Sequence, residues 1–189
     1  MYRFKRVETQ DELEQVFRLN HRVFASELGQ HREREEGLLV DKFHSKNTYL
    51  VALSDDRVVG MLSVHSEAPY SVESRLSDRR LLEPFGRCAE VRLLAVEPEH
   101  RTGMVITGLF MLMFQEVHEF DSVVISGIVE QVAMYRKFGF RDLGPPVKEG
   151  EAFFIPMAVT IEQLRQHAPR WRSRLARWDM LEYFPGMEK

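Results

Sequence analysis

The sequence predicts a single α/β (α+β) domain with a mixed, mostly antiparallel central sheet and helices on both faces. Strand-like segments alternate along the chain with helix-length segments in the order β, α, ββ, β, α, β, α, β. The 189 residues, 44% of them hydrophobic, suffice for one core and would crowd two. We expect residues 1–165 to form the domain and residues 166–189 to form a helical tail.

The first strand and helix are predicted at the start of the chain. Residues 2–7 alternate apolar with basic side chains, as a half-buried strand does. Thr9 and Glu12 then match a capping box, which opens a helix with one broad apolar face. We expect this helix to end near Gly29, and we expect the charged run 31–36 to be a solvated helix or loop.

A hairpin follows, because two β-rich runs, 47–53 and 58–65, flank the polar segment 54–57. The next segment, 66–87, contains several Ser and Pro residues and predicts an irregular loop with a short helix around residues 79–82. Long loops in compact domains are often functional.

The second half of the chain predicts further strands and helices. Residues 89–96 predict a strand that Pro98 ends, and the apolar run 104–114 has the length of a helix. The remaining predicted elements are a strand at 122–128, a helix through Tyr135, paired strands near 140–143 and 152–159, and a helix capped by Thr160 and Gln163.

The tail predicts a helix with Trp171, Leu175 and Trp178 on one face and arginines around them. Stacked aromatic and arginine side chains can bind nucleic acid. Packing on the domain, a homodimer contact and docking of an acidic carrier protein are the alternatives that we favour.

Composition excludes several classes of function. A net charge of −3 disfavours a general nucleic-acid binder, and a single cysteine, Cys88, excludes an internal disulfide framework. The seven histidines lack the spacing of a metal motif, so we expect no metal site. No apolar run approaches the length of a membrane span, and no signal peptide is evident, so we expect a soluble, cytoplasmic protein.

The turn between the strand ending at Val96 and the helix beginning near Met104 is the most informative segment. Exposed backbone N–H groups at a helix start, with Arg101 beside them, can bind a pyrophosphate. This turn and the later segment 134–140, MYRKFGF, together resemble the GNAT superfamily of N-acyltransferases. The resemblance covers about residues 88–141, and it implies the GNAT-type acyltransferase fold. Such loops usually have glycine at Thr102 and Met104, because backbone must approach phosphate there.

The resemblance implies a role for each of three groups of residues. Glu90 would be the general base, since the attacking amine must lose a proton, and Tyr135 would protonate the leaving thiolate. A structural ion pair of Glu90 with Arg92 or another basic residue, and a core position for Tyr135, are the alternatives. Backbone groups would bind the pantetheine arm and the pyrophosphate of an acetyl-CoA or longer acyl-CoA, the first at Leu94, Ala95 and Val96, the second at Arg101, Thr102, Gly103, Met104, Val105 and Ile106.

The first half of the chain is similar to the acyl-homoserine lactone synthases and the long-chain N-acyl amino acid synthases, which take acyl groups from acyl carrier protein. The similarity rests on the runs RVF, ELG, DKF and YLVA within residues 22–52, and on GFRDLGPPV after Tyr135. It implies substrate-binding roles for Arg22, Phe24 and Asp41. Several residues expected of a lactone synthase are replaced, by Asn20, Gln30, His44 and Leu93, so we do not expect lactone synthesis.

Taken together, the residues predict an N-acyltransferase that moves an acyl group from a CoA or carrier-protein thioester to the amine of a small molecule or amino acid by direct attack. We expect neither a nucleic acid nor a membrane span to take part. The alternative is a non-catalytic module that keeps the fold and senses a thioester or another ligand.

Overall fold

The computed structural model, which describes residues 1–184, is built around an eight-stranded sheet. The strands are β1 (Tyr2–Arg6), β2 (Thr48–Ser54), β3 (Arg57–His65), β4 (Cys88–Val96), β5 (Ser122–Ile128), β6 (Arg141–Asp142), β7 (Val147–Glu149) and β8 (Ala152–Thr160). They lie in the order β1-β2-β3-β4-β5-β8-β6, and β7 also pairs with β8. Within residues 1–184 only the β4–β5 pair is parallel, so the prediction of a mixed, mostly antiparallel sheet is confirmed.

The helices are α1 (Gln10–His21), α2 (Gly103–Val117), α3 (Val132–Lys137), α4 (Ile161–Arg165) and α5 (Ala168–Arg177). A π-helical turn, Arg22–Glu27, continues α1 as far as Gly29, which has a positive φ of 57°. The predicted capping boxes at Thr9 and at Thr160 are both present. The loop 66–87 contains two 3₁₀ segments, Ser71–Arg75 and Arg79–Phe85, and β7 is a short strand that the sequence pattern did not predict.

Two hydrophobic clusters cover opposite faces of the sheet. On one face α2 and α5 pack together, and Trp171 and Leu175 of α5 are buried there with Trp178 beside them. On the other face α1 and the π-helical turn pack through Val16, Leu19 and Phe24. Helices therefore lie on both faces, as predicted, and the apolar face of α5 is covered by the domain itself.

Candidate active site

A bulge at Leu93 divides β4 into two halves. Leu93 has a φ of 57°, a left-handed conformation that is unusual for a leucine, and the register with β3 shifts between Met61 and Ser63. Pairing with β5 is restricted to Cys88, Ala89 and Glu90. The sheet therefore opens between β4 and β5 from residue 91 onward, and the second half of β4 has an unpaired edge.

The bulge corrects one prediction from the sequence. A strict period of two would place Glu90, Arg92, Leu94 and Val96 on one face of the strand. Leu94 and Val96 instead pack in the cluster with α2, on the face that Ala89 and Val91 also use, whereas Leu93 and Ala95 pack with α1. The extra residue of the bulge reverses the alternation, so Leu94 and Val96 lie on the face opposite Glu90.

An apolar cavity passes through this opening in the sheet. With its open mouth it spans about 740 Å³. Phe24 and Leu28 line it on the face of the sheet covered by α1, and side chains of α2, α4 and α5 line it on the other face, namely Phe110, Met113, Leu164 and Trp171. The other lining residues are Val91, Arg92, Leu93, Leu94, Ile125, Ser126, Ile128, Tyr135, Phe138, Phe140 and Phe154.

A second, polar cavity of about 710 Å³, mouth included, lies on the α1 side of the sheet. Its lining residues are Asn20, Gln30, His31, Arg34, Leu39, Val40, Asp41, Lys42, Ser71, Arg75, Arg92, Leu93 and Glu149. Two of them have buried side-chain atoms without a hydrogen-bond partner among residues 1–184, namely Oδ1 of Asn20 and Nε of Arg75. Buried polar atoms are rarely left unpaired, so this cavity suits a polar ligand that supplies a donor and an acceptor.

The two cavities share Arg92 and Leu93. An apolar ligand in the first cavity and a polar ligand in the second would therefore meet at the bulge. This is the geometry that a transfer reaction between two different substrates requires.

Glu90 lies beside this junction and lines neither cavity. Its side chain is 0% exposed, and it accepts hydrogen bonds from Nε2 of His65 (2.8 Å), from the backbone N–H and hydroxyl of Ser71 (both 2.7 Å), and from the N–H of Val72 (2.7 Å). Burial alone would raise the pKa of Glu90, but the hydrogen bonds from His65 and Ser71 outweigh it and lower the pKa. Arg92 is a distant partner, with Nε 3.9 Å from the carboxylate.

Ser71 links Glu90 to the polar cavity. The hydroxyl donates to Oε1 of Glu90 at 2.7 Å, it accepts from Nε of Arg92 at 2.9 Å, and the residue lines the cavity. A hydroxyl oxygen has two lone pairs, so one remains for a donor in the cavity. A proton that arrives at Ser71 can pass on to Glu90.

Tyr135 lines the apolar cavity and packs edge-on against Phe140. Burial raises the pKa of its phenol to about 12, so the hydroxyl is neutral and a donor at any ordinary pH. These features fit the predicted proton donor, and they equally fit a core aromatic.

The three predicted substrate-binding residues lie in different places. Asp41 lines the polar cavity and forms a two-pronged ion pair with Arg92, in which one contact measures 2.9 Å. Burial would raise the pKa of Asp41, but the hydrogen bond from Arg92 outweighs it and lowers the pKa. Phe24 lines the apolar cavity, whereas Arg22 lines neither cavity and pairs with Glu97 at 2.8 Å.

The predicted pyrophosphate segment surrounds the start of α2. The side chain of Thr102 does not cap the helix, so the first N–H groups of α2 are left for solvent or a ligand. A Cβ added to Gly103 would meet nothing within 4 Å, and Met104 packs against the core. The side chain of Met104 is therefore turned from the open loop, where it was expected to add bulk. Arg101 pairs with Glu27 and donates to the carbonyl of Val96 at 3.0 Å.

Three further features bear on function in the part of the chain that the structure describes: the cysteine thiol, groups of metal-ligating side chains, and the length and apolarity of the helices. Cys88 is buried, and burial raises the pKa of its thiol to about 11, so it is a poor nucleophile. Residues 1–184 contain no cluster of His, Cys, Asp or Glu side chains that could hold a metal ion. Over the same residues, no helix has both the length and the apolarity needed to cross a membrane.

The residues that were not predicted as site residues include Arg92 and Leu93, which line both cavities, and Asn20, Ser71 and Arg75 of the polar cavity. Asn20 and Leu93 had a signal, because both depart from the residues expected of a lactone synthase. Ser71 and Arg75 had a weaker one, because they belong to the long irregular loop. Their approach to β4 is a tertiary contact that no local pattern encodes.

Comparisons with known proteins identify the family and the fold. The model of the N-acyl amino acid synthase FeeM family matches residues 15–159. Among solved structures, the chain is similar to BjaI, a CoA-dependent acyl-homoserine lactone synthase solved with SAM and isopentyl-CoA. The TM-score is 0.74 at 22% identity, over 93% of this chain and 90% of that one.

Two further structures share the fold. FeeM, an N-acyl amino acid synthase from uncultured soil microbes, has a TM-score of 0.67 at 16% identity, over 94% of this chain and 98% of its own. A Lactobacillus plantarum protein assigned as an N-acetyltransferase has a TM-score of 0.61 at 15% identity, over 85% and 98%. No curated protein matches the sequence. The predicted GNAT-type fold is confirmed.

Proposed function

Since the chain belongs to the family of the N-acyl amino acid synthase FeeM, we propose that it joins an acyl group held in the apolar cavity to the amine of an amino acid held in the polar cavity. Family membership confirms the predicted class of enzyme, an acyltransferase that moves an acyl group from a thioester to an amine. The placement of the substrates rests on one observation: two cavities of opposite polarity meet at Leu93.

The donor in this proposal is an acyl-CoA. Its pyrophosphate would lie on the N–H groups of residues 101–106 at the start of α2, where the helix dipole favours an anion. Its pantetheine arm would follow the unpaired edge of Leu94, Ala95 and Val96 as an added strand. The acyl chain would then enter the apolar cavity, whose lining matches it chemically.

Gly103→Val tests the donor site. The introduced valine side chain would have open space around it, so the protein without ligand should keep its stability. The added bulk would, however, keep a phosphate from approaching the backbone. We expect acetyl-CoA, longer acyl-CoAs and free CoA to raise the melting temperature of the wild type, and we expect Gly103→Val to lose most of that rise. If CoA compounds stabilise neither protein while acyl carrier protein does, the donor is a carrier-protein thioester.

The acceptor in this proposal is an amino acid. Its carboxylate would accept from Arg75, whose Nε is otherwise unpaired, and its amine would donate to the free Oδ1 of Asn20. Arg34 and Lys42 add positive charge around the same cavity, which favours an anionic acceptor.

The chemical step is a direct attack. The neutral amine forms a bond to the thioester carbonyl carbon, the C–S bond breaks, and an amide and a thiol result. The proton lost by the nitrogen would pass to Ser71 as the hydroxyl proton of Ser71 passes to Glu90. Tyr135 would give a proton to the departing thiolate, and it would be reprotonated from solvent.

The proposed function predicts an N-acyl amino acid as the product. Purified protein is incubated with an acyl-CoA and a mixture of the twenty amino acids, and the products are identified by mass spectrometry. Arg75→Gln should raise the KM for the amino acid at least tenfold. Arg80→Gln is the matched control, because Arg80 is exposed, pairs with Asp78 and lines neither cavity. An equal effect of both substitutions would contradict the placement of the acceptor.

The proton path predicts a separate effect on kcat. Ser71→Ala should lower kcat by about 100-fold and leave the KM for the acyl-CoA little changed, as expected for loss of a proton-transfer group. Ser74→Ala is the control, since its hydroxyl donates to the carbonyl of Ser71 and lines neither cavity. Tyr135→Phe tests the proton donor, and unchanged kcat would assign Tyr135 to the core.

A further inference from the structure

The part of the apolar cavity that lies across the sheet from Leu93 is lined by side chains of α2, α4 and α5. Leu164 of α4 and Trp171 of α5 line it together with Phe110 and Phe138. Both helices follow residue 159, where the match to the family model ends. This wall is thus contributed in part by a segment that the family match does not include.

Trp171 is held rigidly in this wall. It is 2% exposed, and four aromatic rings surround it: Phe110, Phe114, Phe138 and His167, at centroid distances of 5.7 to 6.3 Å. Leu175, one turn later on α5, is completely buried and anchors the helix. A side chain packed on this many sides cannot rotate away from a ligand without disturbing the core.

We propose that Trp171 is a specificity-determining residue that fixes the longest acyl chain the enzyme accepts, by closing the apolar cavity at the end opposite Leu93. This inference rests on the proposed function, because it assumes that the cavity holds an acyl chain. A chain that reaches from the junction to the indole fills the cavity. Each further methylene must displace Trp171 or remain outside the cavity.

The preference for chain length follows from burial. Each methylene that enters the cavity improves binding by about fourfold, and this gain stops where the wall stands. The kcat/KM of the wild type should therefore rise with chain length from butanoyl-CoA, reach a maximum, and fall steeply beyond it.

Trp171→Leu tests the proposal, with Trp178→Leu as the matched control. Trp171 lies in α5 and Trp178 directly follows its last residue; both pack against the same hydrophobic cluster, but only Trp171 lines the cavity. The kcat/KM is measured with acyl-CoAs from butanoyl to hexadecanoyl. We expect Trp171→Leu to move the maximum to a longer chain. For the chain two methylenes longer than the wild-type maximum, kcat/KM relative to that at the wild-type maximum should rise by about 15-fold. Trp178→Leu should keep the profile of the wild type.

Leu164→Phe gives the opposite change and does not require removal of a core tryptophan. The larger side chain narrows the same end of the cavity, so the maximum should move to a shorter chain. An unchanged profile in both Trp171→Leu and Leu164→Phe would overturn the proposal.

Thermal stabilisation by the same acyl-CoAs separates this inference from the proposed function. If the wild type forms no N-acyl product but the chain length of strongest stabilisation still moves with Trp171, the cavity wall is assigned correctly and the reaction is not. If product forms but neither profile moves, the reaction stands and the role of Trp171 is wrong.

Discussion

The two halves of β4 have opposite relations to their surroundings. The first half of the strand is paired with β5 at residues 88–90 and with β3 at residues 90–92. The carboxylate of this half, Glu90, accepts hydrogen bonds from His65, Ser71 and Val72. From Val91 onward the edge toward β5 is unpaired and borders a cavity. One strand thus supplies a fixed anchor at Glu90 and, a few residues later, an open surface that includes the bulge.

The contrast explains how a buried carboxylate can matter to an open site. Glu90 fixes the start of the 3₁₀ segment Ser71–Arg75, and that segment carries Ser71 and Arg75 into the polar cavity. The first half of β4 therefore sets the geometry of the site even where it does not contact a substrate.

Glu90→Ala should cause the largest loss of stability, because it removes the buried acceptor in the first half of β4. It leaves the N–H groups of Ser71 and Val72 and the ring of His65 without their buried acceptor, so we expect a loss of about 3–5 kcal/mol in the free energy of unfolding. Urea unfolding followed by circular dichroism measures it. Glu116→Ala is the control, because Glu116 pairs with the exposed Arg6 and should cost at most about 1 kcal/mol. Equal losses would mean that the Glu90 cluster contributes no more than a surface pair.

Most of the fold could be predicted from the sequence because it depends on local patterns. The capping boxes at Thr9 and Thr160, the hairpin around residues 54–57 and the strand Ser122–Ile128 each have a signal within a few residues. The short strand β7 has no comparable signal, since three residues are too few for a period and its pairing with β8 defines it.

The candidate site could be predicted only in part. Glu90, Tyr135 and Asp41 were predicted from the sequence. Glu90 and Asp41 lie beside Arg92 at the junction of the cavities, and Tyr135 lines the apolar cavity. The bulge could not be predicted, because Leu93 is an unusual residue for a positive φ and nothing in its side chain indicates one. The polar cavity depends on contacts between segments that are distant in the sequence, from Asn20 to Glu149, and periodicity does not record such contacts.

Glycine substitutions at Leu93 and Leu94 compare the bulge residue with the first residue of the open half of β4. Leu93→Gly loses some apolar burial but removes the strain of a positive φ, so the net change should stay within about 1 kcal/mol. Leu94→Gly loses burial against the α2 cluster and adds chain entropy, which should cost about 2–3 kcal/mol. Chemical denaturation of the two variants, run in parallel, measures the difference. A larger loss at Leu93 than at Leu94 would mean that the left-handed conformation is not strained.

The smallest expected effect is the contribution of Glu90, in the first half of β4, to the pH dependence of the free energy of unfolding. The pKa of Glu90 is lowered in the folded protein, so its contribution to stability is complete above the unfolded pKa of 4.5 and is lost as the pH falls through the folded pKa. Glu90→Gln keeps the size of the side chain and cannot titrate. We therefore expect the free energy of unfolding of the wild type to fall by about 1–2 kcal/mol more than that of Glu90→Gln between pH 6 and pH 3.

Leu94→Ala is the control, and its free energy of unfolding is measured at the same pH values. It retains the other carboxylates that contribute to the pH dependence, including Asp41, whose pKa is also lowered. Leu94 belongs to the open half and does not titrate, so the variant should lose stability with falling pH as steeply as the wild type does. The free energy of unfolding of Glu90→Gln could instead fall with pH as steeply as that of the wild type and of Leu94→Ala. Glu90 would then keep its ordinary pKa in the folded chain. The hydrogen bonds from His65 and Ser71 would then stabilise the protonated and ionised carboxyl groups equally.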